Sequence, residues 1–149
     1  MQQFILPEES VRCICIGKEF ILPIKWDAHR RCYLEVDNFL PKDVENRVLD
    51  SAWALNNALG YDMNSVDLAI QDGVPYAIDF TNPAPDTDVW SIYPRYFRTV
   101  VDEMARFAIS CAREGRTNNG GFPFRQWLEK PQPRPVGACG ERLQGMKAS

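Results

Sequence analysis

Residues 65–83 constrain what this chain can fold into more than any other stretch. Val66, Leu68 and Ile70 line one side of a first strand, and Val74, Tyr76, Ile78 and Phe80 line one side of a second, with Asp72-Gly73 between them. The opposite sides carry Asp67, Ala69 and Gln71, then Pro75, Ala77 and Asp79. A two-residue Asp-Gly loop would pair Gln71 with Val74 and set an apolar face beside a polar one, a slip that a half-buried sheet resists. The pattern therefore predicts a three-residue loop, Gln71-Asp72-Gly73, with Gly73 left-handed in a bulge, Ile70 opposite Val74 and Asp67 opposite Ala77. Asp79 then becomes the diagonal neighbour of Asp67 on one face, about 7–8 Å away. Two carboxylates so placed repel each other, and a shared magnesium ion removes the conflict. From these residues alone, a solvated acidic face is an equal reading.

The elements around the hairpin follow from periodicity. Residues 2–6 read as a short extended run, and 11–16 and 19–25 as strands flanking Gly17-Lys18, a two-residue connection. A short strand is expected near 32–36. Val44, Val48, Ala52, Leu55 and Leu59 then follow helical spacing, widened by Trp53, with Pro41 at the entry and Gly60 just past the end. A second helix runs from near Pro94 to Glu114, with Phe97, Val101, Met104, Ala108 and Cys111 on one face. The expected fold is α+β: a largely antiparallel sheet with two helices packed on one face. Residues 1–115 form the domain, and 116–149 an irregular tail, disordered from Pro131 onward, in which Phe122, Phe124 and Trp127 form a small anchor.

The run Val66-Asp67-Leu68-Ala69-Ile70, a loop, and Tyr76-Ala77-Ile78-Asp79-Phe80-Thr81-Asn82-Pro83 resembles the metal-binding hairpin of the ATP-grasp superfamily. Its first-strand Asp, an acid closing the second strand, and a following Asn hold magnesium against the phosphates of ATP. The resemblance implies that Asp67 and Asp79 are metal ligands and Asn82 the amide ligand. The family places its Asn two residues after the acid. Here that position is Thr81 and Asn82 lies three after, so either the strand bulges before Pro83 or Thr81 supplies the oxygen.

Gln2-Gln3-Phe4-Ile5, an acidic loop, and Val11–Glu19 resemble the segment between the family's two lobes and the hairpin after it. This implies adenine contacts at Gln3, Phe4 and Ile5, and a ribose contact from Glu8 or Glu9. If Val11, Cys13 and Cys15 face the helices, Arg12 joins the layer of Asp67 and Asp79, where a planar fork suits a phosphate or substrate carboxylate. Lys25 is a weaker candidate for that work, and a solvated sheet face is the plain reading of Arg12. The implied protein is the C-terminal lobe of a ligase that joins a small carboxylate substrate to an amine or thiol, using ATP and magnesium. The upstream lobe, with its lysines and phosphate loop, is absent, so the chain is expected to be inactive alone. A noncatalytic α+β module that binds a partner or a second copy of itself is the alternative.

Composition closes off other classes. A net charge of −3 with interspersed signs offers no footprint for nucleic acid or an anionic membrane. No apolar run reaches the roughly 18 residues of a spanning helix. The five cysteines contain no CxxC pair, and His29 is the lone histidine, so reduced structural thiols in a cytoplasmic protein are expected.

Overall fold

In a computed structural model, which describes residues 4–117, 124–130 and 132–135, the strand Glu9–Ile16 (β1) divides the core in two. Val11, Cys13 and Cys15 point to one side of the sheet and Ile14 and Ile16 to the other, all of them buried. β2 (Phe20–Asp27) alternates in the same way, sending Ile21 to the first side and Phe20, Leu22 and Ile24 to the second. Strands apolar on both faces need cover on both. The chain goes on through β3 (Cys32–Leu34), α1 (Lys42–Leu59), β4 (Met63–Gln71), β5 (Val74–Asn82), α2 (Val89–Arg113) and α3 (Phe124–Glu129). The strands form one antiparallel sheet in the order β3-β2-β1-β4-β5.

The α+β class and the antiparallel sheet agree with the sequence reading. The helices do not share a face. α1 packs Val44, Val48, Ala52 and Trp53 against Val11, Cys13, Val66 and Leu68, while α2 packs Ile92, Tyr96 and Val100 against Ile14, Leu22, Ile24 and Tyr33 on the other side. Burying a side chain of this size contributes about 1.5–3 kcal/mol. α2 presents only part of the expected stripe: Phe97 and Met104 pack half-buried against this core, Val101 and Ala108 are exposed, and Tyr96, Val100 and Glu103 are the buried residues. Two stripes with the same helical spacing run side by side on this helix, and periodicity cannot choose between them.

Local signals set the ends of the helices. Pro41 stands at the N-cap of α1, Asp43 and Glu45 occupy its positive first turn, and Gly60 closes it in the left-handed region with its N–H on the Asn56 carbonyl at 3.0 Å. Asp88 caps α2 by accepting from the Trp90 amide at 2.8 Å. The helix breaks at Tyr93 (φ 68°, ψ 150°), after which Pro94 begins the long straight part, so the expected start at Pro94 marks the kink. Beyond residue 115, α3 rests on α1 through Trp127 and Trp53, whose rings lie 5.4 Å apart, and Arg134 reaches Asp50 at 2.6 Å. Phe122 and most of the tail beyond Pro131 lie outside the described residues.

Both hairpin loops differ from expectation. Ile16 pairs with Phe20, which makes Gly17-Lys18-Glu19 a three-residue turn and keeps two apolar side chains on one face. Gln71 pairs with Val74, so Asp72-Gly73 is a two-residue turn with both residues at positive φ, 52° and 69°. The mismatch of faces that counted against this loop is accepted at its tip. β5 is an edge strand, and Val74 and Tyr76 stand 40% and 41% exposed on the side that α2 leaves uncovered. Among the described residues no helix is long and apolar enough to cross a membrane.

Candidate functional site

Beside the part of the second face that α2 covers, one row of cross-strand partners runs Ile24, Arg12, Asp67, Asp79. Direct partners share a face, so Arg12 and both aspartates project to one side, with side chains in adjacent strands about 4.5–5.5 Å apart at Cβ. The expectation that the acids share a face holds by another route. With a two-residue turn and plain alternation, Asp67 would pair with Ile78 and Asp79 would point to α1. β5 instead carries an extra residue at Ile78, and the register moves on so that Asp67 meets Asp79.

A second irregularity follows, because Ser65 pairs with Asn82 where an unbroken ladder would give Thr81. Ser65 lies on the same face as Asp67, so Asn82 comes to the aspartates' side although it stands three residues after Asp79. Of the two routes left open by the sequence, the bulge before Pro83 is the one present. Asn64, fully buried, holds it: its Nδ2 donates to the Phe80 carbonyl at 3.0 Å and its Oδ1 accepts from the Asn82 amide at 2.9 Å. The Asn82 side-chain oxygen accepts a long bond, 3.3 Å, from the Ala84 amide.

Arg12 and Asp67 meet fork to fork. Nε donates to Oδ1 at 2.7 Å and Nη2 to Oδ2 at 2.6 Å, with 18% and 13% of the two side chains exposed. The guanidinium lies 4.0 Å from the Trp26 ring and 5.6 Å from that of Tyr33, and the two rings meet edge to face. Tyr33 donates its hydroxyl to the Asp86 carbonyl at 3.0 Å, and the Tyr93 hydroxyl donates to the Tyr33 carbonyl at 3.3 Å. The shelf under Arg12 is thus tied to the segment that leads into α2. The hydrogen bonds that Arg12 donates to Asp67 raise its pKa beyond the already high ordinary value, against the opposing effect of burial. Burial raises the Tyr33 pKa and keeps its hydroxyl a donor.

Asp79 is exposed, and no described residue pairs with its carboxylate. The arrangement therefore offers one open carboxylate, one carboxylate held by an arginine, and an amide oxygen on the same face. These are hard oxygen donors of the kind magnesium takes. Among the described residues no three His, Cys, Asp or Glu side chains cluster to hold a metal by themselves, so a cation here needs oxygens from a ligand to complete its shell.

Other residues singled out in the sequence are not brought to this row. Lys25 pairs in register with Val11, on the α1 side of the sheet, and its Nζ bonds Glu9 at 2.9 Å and 2.8 Å. Phe4 is exposed and Ile5 half-buried in an irregular approach to β1, and Gln3 lies outside the described residues. The backbone amide of Glu8 donates to Ile70. His29 is exposed in the turn between β2 and β3, where its amide donates to Asp27. Cys13 and Cys15 are buried, and neither they nor Cys32 and Cys111 are in a disulfide. Trp26, Tyr33 and Asn64 were not found from the sequence. The two aromatics read there as ordinary strand residues, and a lone Asn opening a strand carries no signal of what its side chain will reach.

No protein-family model matches the chain. No curated protein matches it in sequence. Among solved structures it is similar to a D-alanine–D-alanine ligase from Bacillus anthracis, at 19% identity and a TM-score of 0.58, over 77% of this chain and 44% of the ligase. A second structure of that ligase, complexed with ATP, matches at 18% identity and a TM-score of 0.58, over 77% of this chain and 41% of the other. The chain therefore spans less than half the length of the ligase structures it matches. At such identity the likeness is one of fold, and it agrees with the ATP-grasp C-terminal lobe that the sequence resembles.

Proposed function

We propose that this chain is the magnesium- and ATP-holding portion of a ligase that activates a small carboxylate and joins it to an amine or a thiol. The observation that carries the reading is the common face of Arg12, Asp67, Asp79 and Asn82, reached through two bulges in one strand. A strand that departs twice from regular pairing, each time returning an oxygen donor to the same side, gains nothing for folding from those donors. The shared fold adds support, since one of the ligase structures carries ATP.

In this reading Asp67, Asp79 and Asn82 would hold magnesium, which when bound neutralises the charge spread over the phosphate oxygens. Arg12 binds an anionic oxygen, either phosphate or substrate carboxylate. Its planar fork is now spent on Asp67, so that pair must open for either side chain to work. Trp26 and Tyr33 keep the guanidinium oriented and partly shielded from water. Gln3, Phe4 and Ile5 would contact adenine and Glu8 or Glu9 the ribose, while Lys25, bonded to Glu9 on the α1 side of the sheet, stands apart from the phosphate-facing row. A second lobe is needed to enclose the phosphates and exclude water, because positioning supplies most of the catalysis in phosphoryl transfer.

Calorimetry with magnesium and ATP tests the assignment. The expected result is weak, magnesium-dependent binding without turnover, weakened about fivefold by Asp79→Ala, the loss of roughly one charge-assisted contact. Tight binding with steady hydrolysis would show that no lobe is missing. Binding indifferent to Asp79→Ala would remove the site and leave the fold alone. The exposed strip Val74, Tyr76 and Ile78 favours a second reading, a noncatalytic module that binds its own copy. Sedimentation of the chain as a monomer at high concentration would dismiss it.

A further inference from the structure

We infer that Asn64 is a positioning residue: it fixes the second extra residue of β5, Thr81, and so brings Asn82 to the face of Asp67 and Asp79. This rests on the function proposed above and adds to it a residue that contacts no ligand.

Counting along the strand identifies the extra residue. Asp67 pairs with Asp79 and Ser65 with Asn82, so Val66 alone stands opposite Phe80 and Thr81. Phe80 packs against the α1-side core as Val66 does, which leaves Thr81 as the residue without a place in the ladder, and it is exposed. In a regular strand, residues three apart point to opposite faces. Asp79 and Asn82 share a face only because Thr81 is passed over.

A bulge leaves backbone groups without ladder partners, and such groups are costly when shielded from water. The two that flank Thr81, the Phe80 carbonyl and the Asn82 amide, are both taken by the Asn64 side chain, at 3.0 Å and 2.9 Å. One asks for a donor and the other for an acceptor, and a primary amide at that reach supplies both. Aspartate can satisfy only the second, and an aliphatic residue neither. Asn64 is wholly buried and among the described residues its side chain has no bonds beyond these two, so its polar group serves the bulge.

The test compares four proteins: wild type, Asn64→Ala, a chain lacking Thr81, and the two changes combined. Deleting Thr81 places Asp79 and Asn82 two residues apart in a regular ladder, which puts them on one face with no bulge to hold. Two readouts are taken on each protein after thermal unfolding has shown it to be folded: manganese binding in the presence of ATP, followed by electron paramagnetic resonance, and amide exchange at Asn82. Asn64→Ala is expected to weaken manganese–ATP binding about tenfold and to speed Asn82 exchange by at least about tenfold. In the chain lacking Thr81, the same substitution should change binding by less than about twofold. Equal losses in both backgrounds would mean that Asn64 merely supports the core, and would overturn the proposal. So would an Asn82 exchange rate that ignores Asn64→Ala. If wild type binds no manganese–ATP, the ligase reading fails, and the exchange data still decide the clamp. Should the alanine variant not fold, Asn64→Asp, which keeps the acceptor and loses the donor, takes its place with the same expected directions.

Discussion

Gly17→Ala should destabilise the chain by about 3 kcal/mol, while Gly115→Ala costs only about 1 kcal/mol. Both glycines have φ of +60°, so the backbone penalty of a left-handed alanine is common to the two. Their surroundings differ. A Cβ at Gly17 would lie 2.8 Å from the Phe107 ring of α2, whereas one at Gly115 meets nothing within 4 Å. Phe107 is half-buried against the α2-side core, with the Arg116 guanidinium 5.7 Å from its ring, so the ring must shift to admit the methyl. The same turn is fastened from two directions, by the Gly17 amide on the Asp62 carbonyl at 2.7 Å and by Asn56 Nδ2 on the Gly17 carbonyl at 2.8 Å. Thermal melts of the two variants, side by side, isolate the contact. Gly17→Ala should lower the midpoint by about 10 °C, and Gly115→Ala by a third of that. Equal shifts would mean that α2 does not press on the turn.

A double-mutant cycle on Arg12 and Asp67 should return a coupling of about 2–3 kcal/mol, well above the fraction of a kcal/mol typical of exposed ion pairs. The geometry is bidentate, both side chains are largely shielded, and the guanidinium is stacked on Trp26. Asp67→Ala leaves a half-buried cation over two aromatic rings, and Arg12→Ala leaves a carboxylate facing Asp79, so each single change costs more than its share. Because the Arg12 pKa is raised, the stability it contributes is present below its unfolded value and is lost only above the folded one. Both lie beyond the alkaline range in which the chain can be studied, and no alkaline transition is expected from this pair. The functional effects should run in opposite directions. Arg12→Ala frees Asp67 and should strengthen binding of manganese alone about threefold, while weakening manganese–ATP about tenfold through loss of the anion contact. If both affinities move the same way, Arg12 is a structural partner of Asp67 and nothing more.

The strands, both long helices and the caps at Pro41 and Gly60 were legible because each depends on neighbours close in sequence. So was the common layer of Arg12 and Asp67, since alternation along β1 and β4 is regular, whereas Asp79 joins them only through the extra residue at Ile78, which the pattern did not announce. The turns were harder to read. Judging the loop at Asp72-Gly73 from the matching of faces assumed that Val74 and Tyr76 must be covered, and on this edge strand they are not. Which stripe of α2 is buried, and on which side of the sheet it lies, depends on packing against Ile14, Leu22 and Ile24 far away in sequence. Asn64 was invisible for a related reason. Its partners are backbone groups sixteen and eighteen residues on, and backbone groups leave no mark in a sequence.

The two extra residues of β5 have an effect apart from any ligand. A sheet ends in a row of open amides and carbonyls, and a long flat row of that kind invites another chain to add itself as the next strand. β5 is such an end, and Val74, Tyr76 and Ile78 would make it an adhesive one. Each bulge throws the row out of step and turns it, so an incoming strand in regular register finds only short stretches to bond. The irregularities that collect oxygen donors on one side of the strand thereby also blunt its outer rim against runaway stacking, and the molecule can carry apolar side chains there without becoming the seed of a fibril.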